Sequence, residues 1–208
     1  MKKYLNILVS LVLMTAALNG FSQQSNANAL IKKMVKTFRD PKNVEVSYDY
    51  YYQEKGKSPE KKQQGKAYME GERYKIVMNE QETISDGKVI WTYLVEEQEA
   101  MVSDAGFGDD NTPFKLITTL DRDYTATLIE TNGKRQSVVQ LTNPEGRYPK
   151  VIVRIAKDGS LDSAEIEEAG GGMLTIEVKD MKVNQTFDDA FFSFDEKAHP
   201  DVEIIDMR

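Results

Sequence analysis

Few side chains in this sequence can do covalent chemistry. The lone histidine, His199, precedes Pro200 in a polar stretch, and no Gly-x-Ser-x-Gly elbow offers it a nucleophile. Ser85, Asp86 and His199 together have the residue types of a hydrolytic triad. Ser85-Asp86-Gly87-Lys88, however, reads first as a hairpin turn, because glycine takes positive φ without steric cost. A hydrolase would require the fold to bring His199 to a serine. Asp104, Asp109 and Asp110 share a Gly-containing loop, but the alternating acids and terminal Glu of a calcium loop are missing. Gly170-Gly171-Gly172 lacks the Lys-Ser or Lys-Thr of a phosphate cradle and reads as a turn. The expectation is a protein that is not an enzyme and has no cofactor or metal.

The remaining chemistry is apolar binding. Tyr48, Tyr50, Tyr52, Tyr68, Tyr74, Trp91, Tyr93, Phe107, Phe114 and Tyr124 lie in one part of the chain. Large flat rings have few rotamers and bury much area, so they can wall a cavity that stays dry and accepts hydrocarbon. On spacing alone, the same rings could equally fill a half-barrel core.

The elements that would position these rings can be read from periodicity. Leu30, Ile31, Met34, Val35 and Phe38 recur at helical spacing, with Lys32, Lys33, Lys36 and Arg39 opposite, and Asp40-Pro41 stops the helix. Val44, Val46, Tyr48, Tyr50 and Tyr52 alternate as a strand with one wet face. After the Ser85–Lys88 turn, Val89, Trp91, Tyr93 and Val95 share one face of a strand that Ala100, Met101 and Val102 pair with. Thr112 and Pro113 then cap and start a short helix whose Phe114, Leu116, Ile117 and Leu120 leave little of it polar. A helix that apolar must cover something, and the nearest surface in sequence is the aromatic sheet. Further strands, separated at Asn132-Gly133, Asn143 to Gly146, Asp158-Gly159 and Gly170 to Gly172, bring the count to about eleven. The predicted class is α+β: an incomplete antiparallel β-barrel with a helical lid.

Composition sets the compartment and excludes partners. Lys2 and Lys3, an apolar run from Ile7 to Leu18, and small residues at Gly20 and Ser22 read as a cleaved signal peptide over residues 1–22, leaving residues 23–208 as a single domain. No cysteine is present, which excludes disulfides, thiol chemistry and amino-terminal lipidation. Cleavage would leave 25 basic against 34 acidic side chains, a balance that disfavours nucleic acid.

The stretch from Ser85 to Ile117 resembles the outer-membrane lipoprotein carrier family (LolA-like). The matching motifs are the Ser-Asp-Gly-Lys turn, Ile90-Trp91-Thr92-Tyr93, the Glu97-Gln98 return and Asn111-Thr112-Pro113-Phe114-Lys115-Leu116-Ile117; Phe192-Ser193-Phe194 matches the family's end. The resemblance implies a monomeric periplasmic chaperone that binds the acyl chains of lipoproteins in a hydrophobic cavity and shuttles them from inner to outer membrane. Its implied partners are acylated lipoproteins, an inner-membrane ABC-type lipoprotein-releasing complex and an outer-membrane receptor. A module of the same fold that senses lipid or lipoprotein is the alternative. The family's cavity positions fall at Tyr74, Ile76, Phe114 and Ile117; the apolar pattern adds Leu30, Trp91, Tyr93 and Leu116. One departure stands out: where the family carries a basic residue followed by Pro to latch the lid, this chain has Glu70-Gly71, with Arg73 the nearest arginine.

Overall fold

A computed structural model describes residues 24–105, 112–132 and 136–208. The signal segment, Phe107, Asp109, Asp110, Asn111 and Gly133 lie outside the described residues.

Helix α1 (residues 24–39) precedes six consecutive strands: β1 (Val44–Gln53), β2 (Gln63–Glu70), β3 (Arg73–Met78), β4 (Gln81–Ser85), β5 (Val89–Leu94) and β6 (Glu99–Asp104). Helix α2 (Pro113–Asp123) follows. Next come β7 (Thr125–Asn132), β8 (Gln136–Thr142), β9 (Lys150–Ala156), β10 (Leu161–Glu167), β11 (Met173–Val183), a 3-10 turn at Asp189–Phe192, and β12 (Glu203–Asp206). All twelve strands join one sheet in the order β12-β6-β5-β4-β3-β2-β1-β11-β10-β9-β8-β7, antiparallel except for the β12–β6 pair. The two ends of that order do not pair, so the barrel is incomplete as expected, and α2 links β6 to β7 across the opening.

Alternation decides what faces inward, because residues directly opposite on paired strands share a face. Val46, Tyr48 and Tyr50 on β1 stand opposite Met181, Val178 and Ile176 on β11, and Val46 also faces Ala67 on β2, which in turn faces Ile76 on β3. All of these belong to or pack against the main core. Ala27, Ile31, Met34, Val35 and Phe38 of α1 and Phe114, Ile117 and Leu120 of α2 press onto the same concave face. Gly65 is needed for close approach: Tyr48 lies across it, and a Cβ there would stand 2.6 Å from the ring.

The convex face carries a second, smaller core of Ile84, Tyr93, Ala100 and Phe194, with Trp91 and Val202 against it. The segment after β11 crosses this side of the sheet. Tyr68 meets Phe187 and Phe191 edge-on, and the guanidinium of Arg73 lies over Phe192, 4.9 Å from the ring centre.

Candidate functional site

The Ser85–Lys88 turn forms as the sequence suggests. Gly87 sits at φ +90°, and the Asp86 carboxylate accepts from the amides of Lys88 and Val89 at 2.8 and 3.0 Å. Ser85 is buried, with its hydroxyl donating to Val89 O at 3.0 Å and accepting from Gly87 N at 3.2 Å. The neighbouring Ile84 belongs to the convex cluster, so Ser85 points to the other face. His199 stacks on Phe194 at 5.2 Å and lies 5.0 Å from the Tyr93 ring, also on the convex side. Ser85 and His199 are therefore on opposite faces of the sheet, and the triad is not assembled.

The lid helix begins as expected. Thr112 Oγ1 accepts from Lys115 N at 3.2 Å and Pro113 occupies the first turn. Its buried residues Phe114, Ile117 and Leu120 recur at helical spacing and form the face seated in the concavity. Phe114 packs against Tyr48, with ring centres 4.8 Å apart. At the far end Tyr124 donates its hydroxyl to Tyr148 O at 2.9 Å, tying the helix exit to the β8–β9 connection.

The arginine nearest the family's latch position does not hold the lid. Arg73 pairs with Glu70 and, at 2.8 Å, with Asp189, so it fastens the 3-10 turn to the β2–β3 hairpin. Hydrogen bonds from Asn43 and then from Arg73 hold the Glu70 carboxyl below its usual range. The lid is gripped by Arg39, at the end of α1: Nε and Nη2 donate to Thr118 O at 2.9 and 2.6 Å, and Nη2 also pairs with Asp121.

Beside the seated lid a pocket of about 290 Å³ stays open, bounded by the end of α1, the β2–β3 hairpin and one flank of α2. Phe38, Met69, Tyr74, Ile76 and Phe114 give it an apolar floor. A second hollow of about 260 Å³ lies on the other flank, against Leu116, Thr119, Tyr124 and Tyr148. Among the residues singled out from sequence, Tyr74, Ile76 and Phe114 line the first pocket and Leu116 the second. Ile117 is fully buried on the inner face of the lid, and Leu30 packs against the same core from α1.

Trp91 and Tyr93 go elsewhere, which corrects their assignment to the cavity. Trp91 stacks on Phe194 at 5.1 Å and Tyr93 tilts against it at 5.3 Å, on the convex face. The β4–β5 register pairs Ile84 with Trp91 but Ser85 with Ile90 and Thr83 with Thr92. Ile90, Thr92 and Leu94 therefore take the concave side. Phe38 and Met69 were also missed; Phe38 is the last residue of the α1 stripe and was legible there.

Tyr48 is 2% exposed, and its hydroxyl has no hydrogen-bond partner among the described residues. Burial, and then the neighbouring Tyr50, push its ionisation well above the usual tyrosine range, so it stays a neutral donor. An unsatisfied buried hydroxyl costs roughly 1–3 kcal/mol. Tyr48→Phe is accordingly expected to stabilise the ligand-free protein by about 1 kcal/mol, a rise in Tm of roughly 2–4 °C. Calorimetry checks this, and a lowered Tm would contradict it.

Among the described residues no helix is long and apolar enough to cross a membrane. The family model described as "Outer membrane lipoprotein carrier protein LolA" matches residues 73–195. An outer-membrane lipoprotein carrier protein of Haemophilus influenzae is 27% identical over 129 residues, a match that spans 62% of each chain. The protein of the same description from Histophilus somni is 28% identical over 204 residues, 93% of each. Among solved structures, an uncharacterised conserved protein of Thermus thermophilus superposes with a TM-score of 0.56 at 10% identity, covering 87% of this chain and 99% of that one. At that identity the likeness concerns the fold.

Proposed function

Because the chain belongs to the outer membrane lipoprotein carrier (LolA) family, we propose that it is a periplasmic carrier of lipoproteins. It takes their acyl chains from an inner-membrane ABC-type releasing complex and surrenders them to an acceptor at the outer membrane. The observation that carries this reading is the lid: one face of α2 buries Phe114, Ile117 and Leu120 against the concave sheet while an apolar-floored pocket opens along its flank.

Moving hydrocarbon out of water is worth about 0.8 kcal/mol per methylene, so one acyl chain represents on the order of 10 kcal/mol. A carrier that gained all of it could not let go. The lid supplies the opposing term, since its own side chains occupy the concavity and must be displaced first. The open volume of about 290 Å³ is at the lower end of ligand pockets and admits part of a chain. Full loading therefore means lifting α2. Tyr48 lies beneath Phe114, and an acyl ester carbonyl would satisfy its unpaired hydroxyl. The mechanism asks for binding and release only, with no bond made or broken.

The test is to incubate the purified protein with a synthetic triacylated lipopeptide and with the same peptide lacking acyl groups, then weigh the complexes by native mass spectrometry. Retention of the acylated form alone, at micromolar concentration, is the expected result. Failure to retain it would overturn the carrier reading.

A further inference from the structure

The pocket beside the lid has a second chemical character besides its floor. Four cationic residues besides Arg73, whose guanidinium turns to the convex face over Phe192, line it: Arg39 and Lys42 at the end of α1 and just beyond, and Lys115 and Arg122 on α2. Among the described residues the only carboxylate lining it is that of Glu72. This runs against the composition of the whole chain, which has 34 acidic and 27 basic residues. Arg39 is committed to Thr118 and Asp121, and Lys115 is engaged as well. Lys42 has no ion pair among the described residues, and Arg122 comes no nearer than 4.0 Å to Asp121.

We propose that this cationic rim recognises acidic residues immediately following the acylated end of the cargo polypeptide. The inference rests on the carrier reading above. An acyl chain entering over Tyr74, Ile76 and Phe114 brings the attached peptide out past the rim. The open volume of about 290 Å³ admits part of an acyl chain, which leaves the first residues of the peptide at the rim. The rim is drawn from the end of α1 with the turn after it and from α2. One phosphate would engage one or two of its members, whereas an extended peptide advances about 3.3 Å per residue and can set successive carboxylates against several. Charge complementarity of this kind selects among cargoes and steers encounter, and it weakens with salt.

The test uses three lipopeptides with the same diacylglyceryl-cysteine, continued by Ser-Asp-Asp-Asp, Ser-Asn-Asn-Asn or Ser-Lys-Lys-Lys, with phosphatidylglycerol as a lipid comparison. Affinities are measured at about 0.05 M and about 0.5 M salt. The acidic form should bind about tenfold more tightly than the basic one at low salt, with most of the difference lost at high salt. In Lys42→Glu/Arg122→Glu, at exposed positions where folding is not at stake, the acidic-to-basic ratio should fall to one or below. Because the ratio is taken within each variant, a general change in acyl affinity cancels. Equal binding of all three lipopeptides overturns the inference and leaves the carrier reading standing. An unchanged ratio in the double variant overturns the assignment to this rim. Binding of phosphatidylglycerol with no binding of any lipopeptide overturns both.

Discussion

Ile117→Asp should lower acyl-ligand retention by more than about tenfold while the twelve-stranded sheet survives, because an unpaired buried carboxylate costs several kcal/mol. Ile117 is fully buried at the centre of the lid's inner face, between Phe114 and Leu120. With aspartate there, α2 must either bury the charge or lift away, and lifting is the easier course because the helix is joined to the sheet only through its own face and its two ends. The exposed concavity should then bind a hydrophobic dye, and the charge would sit on the surface meant to cover hydrocarbon. Far-UV circular dichroism, dye fluorescence and lipopeptide titration together read the outcome. Ile117→Ala, which removes contacts without adding charge, should cost about 2–4 kcal/mol of stability and reduce retention less. Unchanged lipopeptide binding in Ile117→Asp would remove α2 from the binding surface.

The second large effect has the opposite sign. Arg39→Gln deletes the bonds from α1 to Thr118 O and Asp121 without touching any apolar surface. Asp121, only 13% exposed in its side chain, would be left with Arg122 at 4.0 Å. The Arg39 side chain is 34% exposed, so solvent screening reduces the pair's worth to roughly 1 kcal/mol. That shifts the balance between seated and lifted lid by about fivefold. Since the seated lid competes with the ligand, the variant should bind acyl lipopeptide up to about fivefold more tightly and release it more slowly to acceptor vesicles. Weaker binding in Arg39→Gln would contradict the competition between lid and ligand.

The lid and the latch differ in how far the sequence could show them. Thr112-Pro113 and the spacing of Phe114, Ile117 and Leu120 are local signals, so α2 and its inner face were readable before any fold was known. The latch joins residues 79 and 82 positions apart, and nothing local to Arg39 marks it off from the other bases on the back of α1. Trp91 and Tyr93 show a different limit. On β5 both alternating sets are apolar, Ile90 and Leu94 on one face and Trp91 and Tyr93 on the other, so period two locates the strand without choosing its inner side. The choice is made by the distant Phe194 and His199, which cover the rings from the convex face. Tyr48, Tyr50 and Tyr74 stand on strands whose other face is polar, Glu45, Ser47 and Asp49 on β1 and Arg73 and Lys75 on β3, so there the alternation itself selects the inner side.

The parallel pairing of β12 with β6 has a kinetic consequence. Glu203 lies beside Glu99 and Ile204 beside Ala100, while β1 meets β11 across a comparable stretch of chain, Val44 beside Val183. Contacts so remote in sequence form slowly, because a long loop must close before any of them is rewarded. Until residues 203–206 arrive, β6 presents a bare row of amides and carbonyls, the template on which strands of neighbouring chains aggregate. A newly made chain thus passes through an interval of vulnerability that ends when its own distal segment blocks that row.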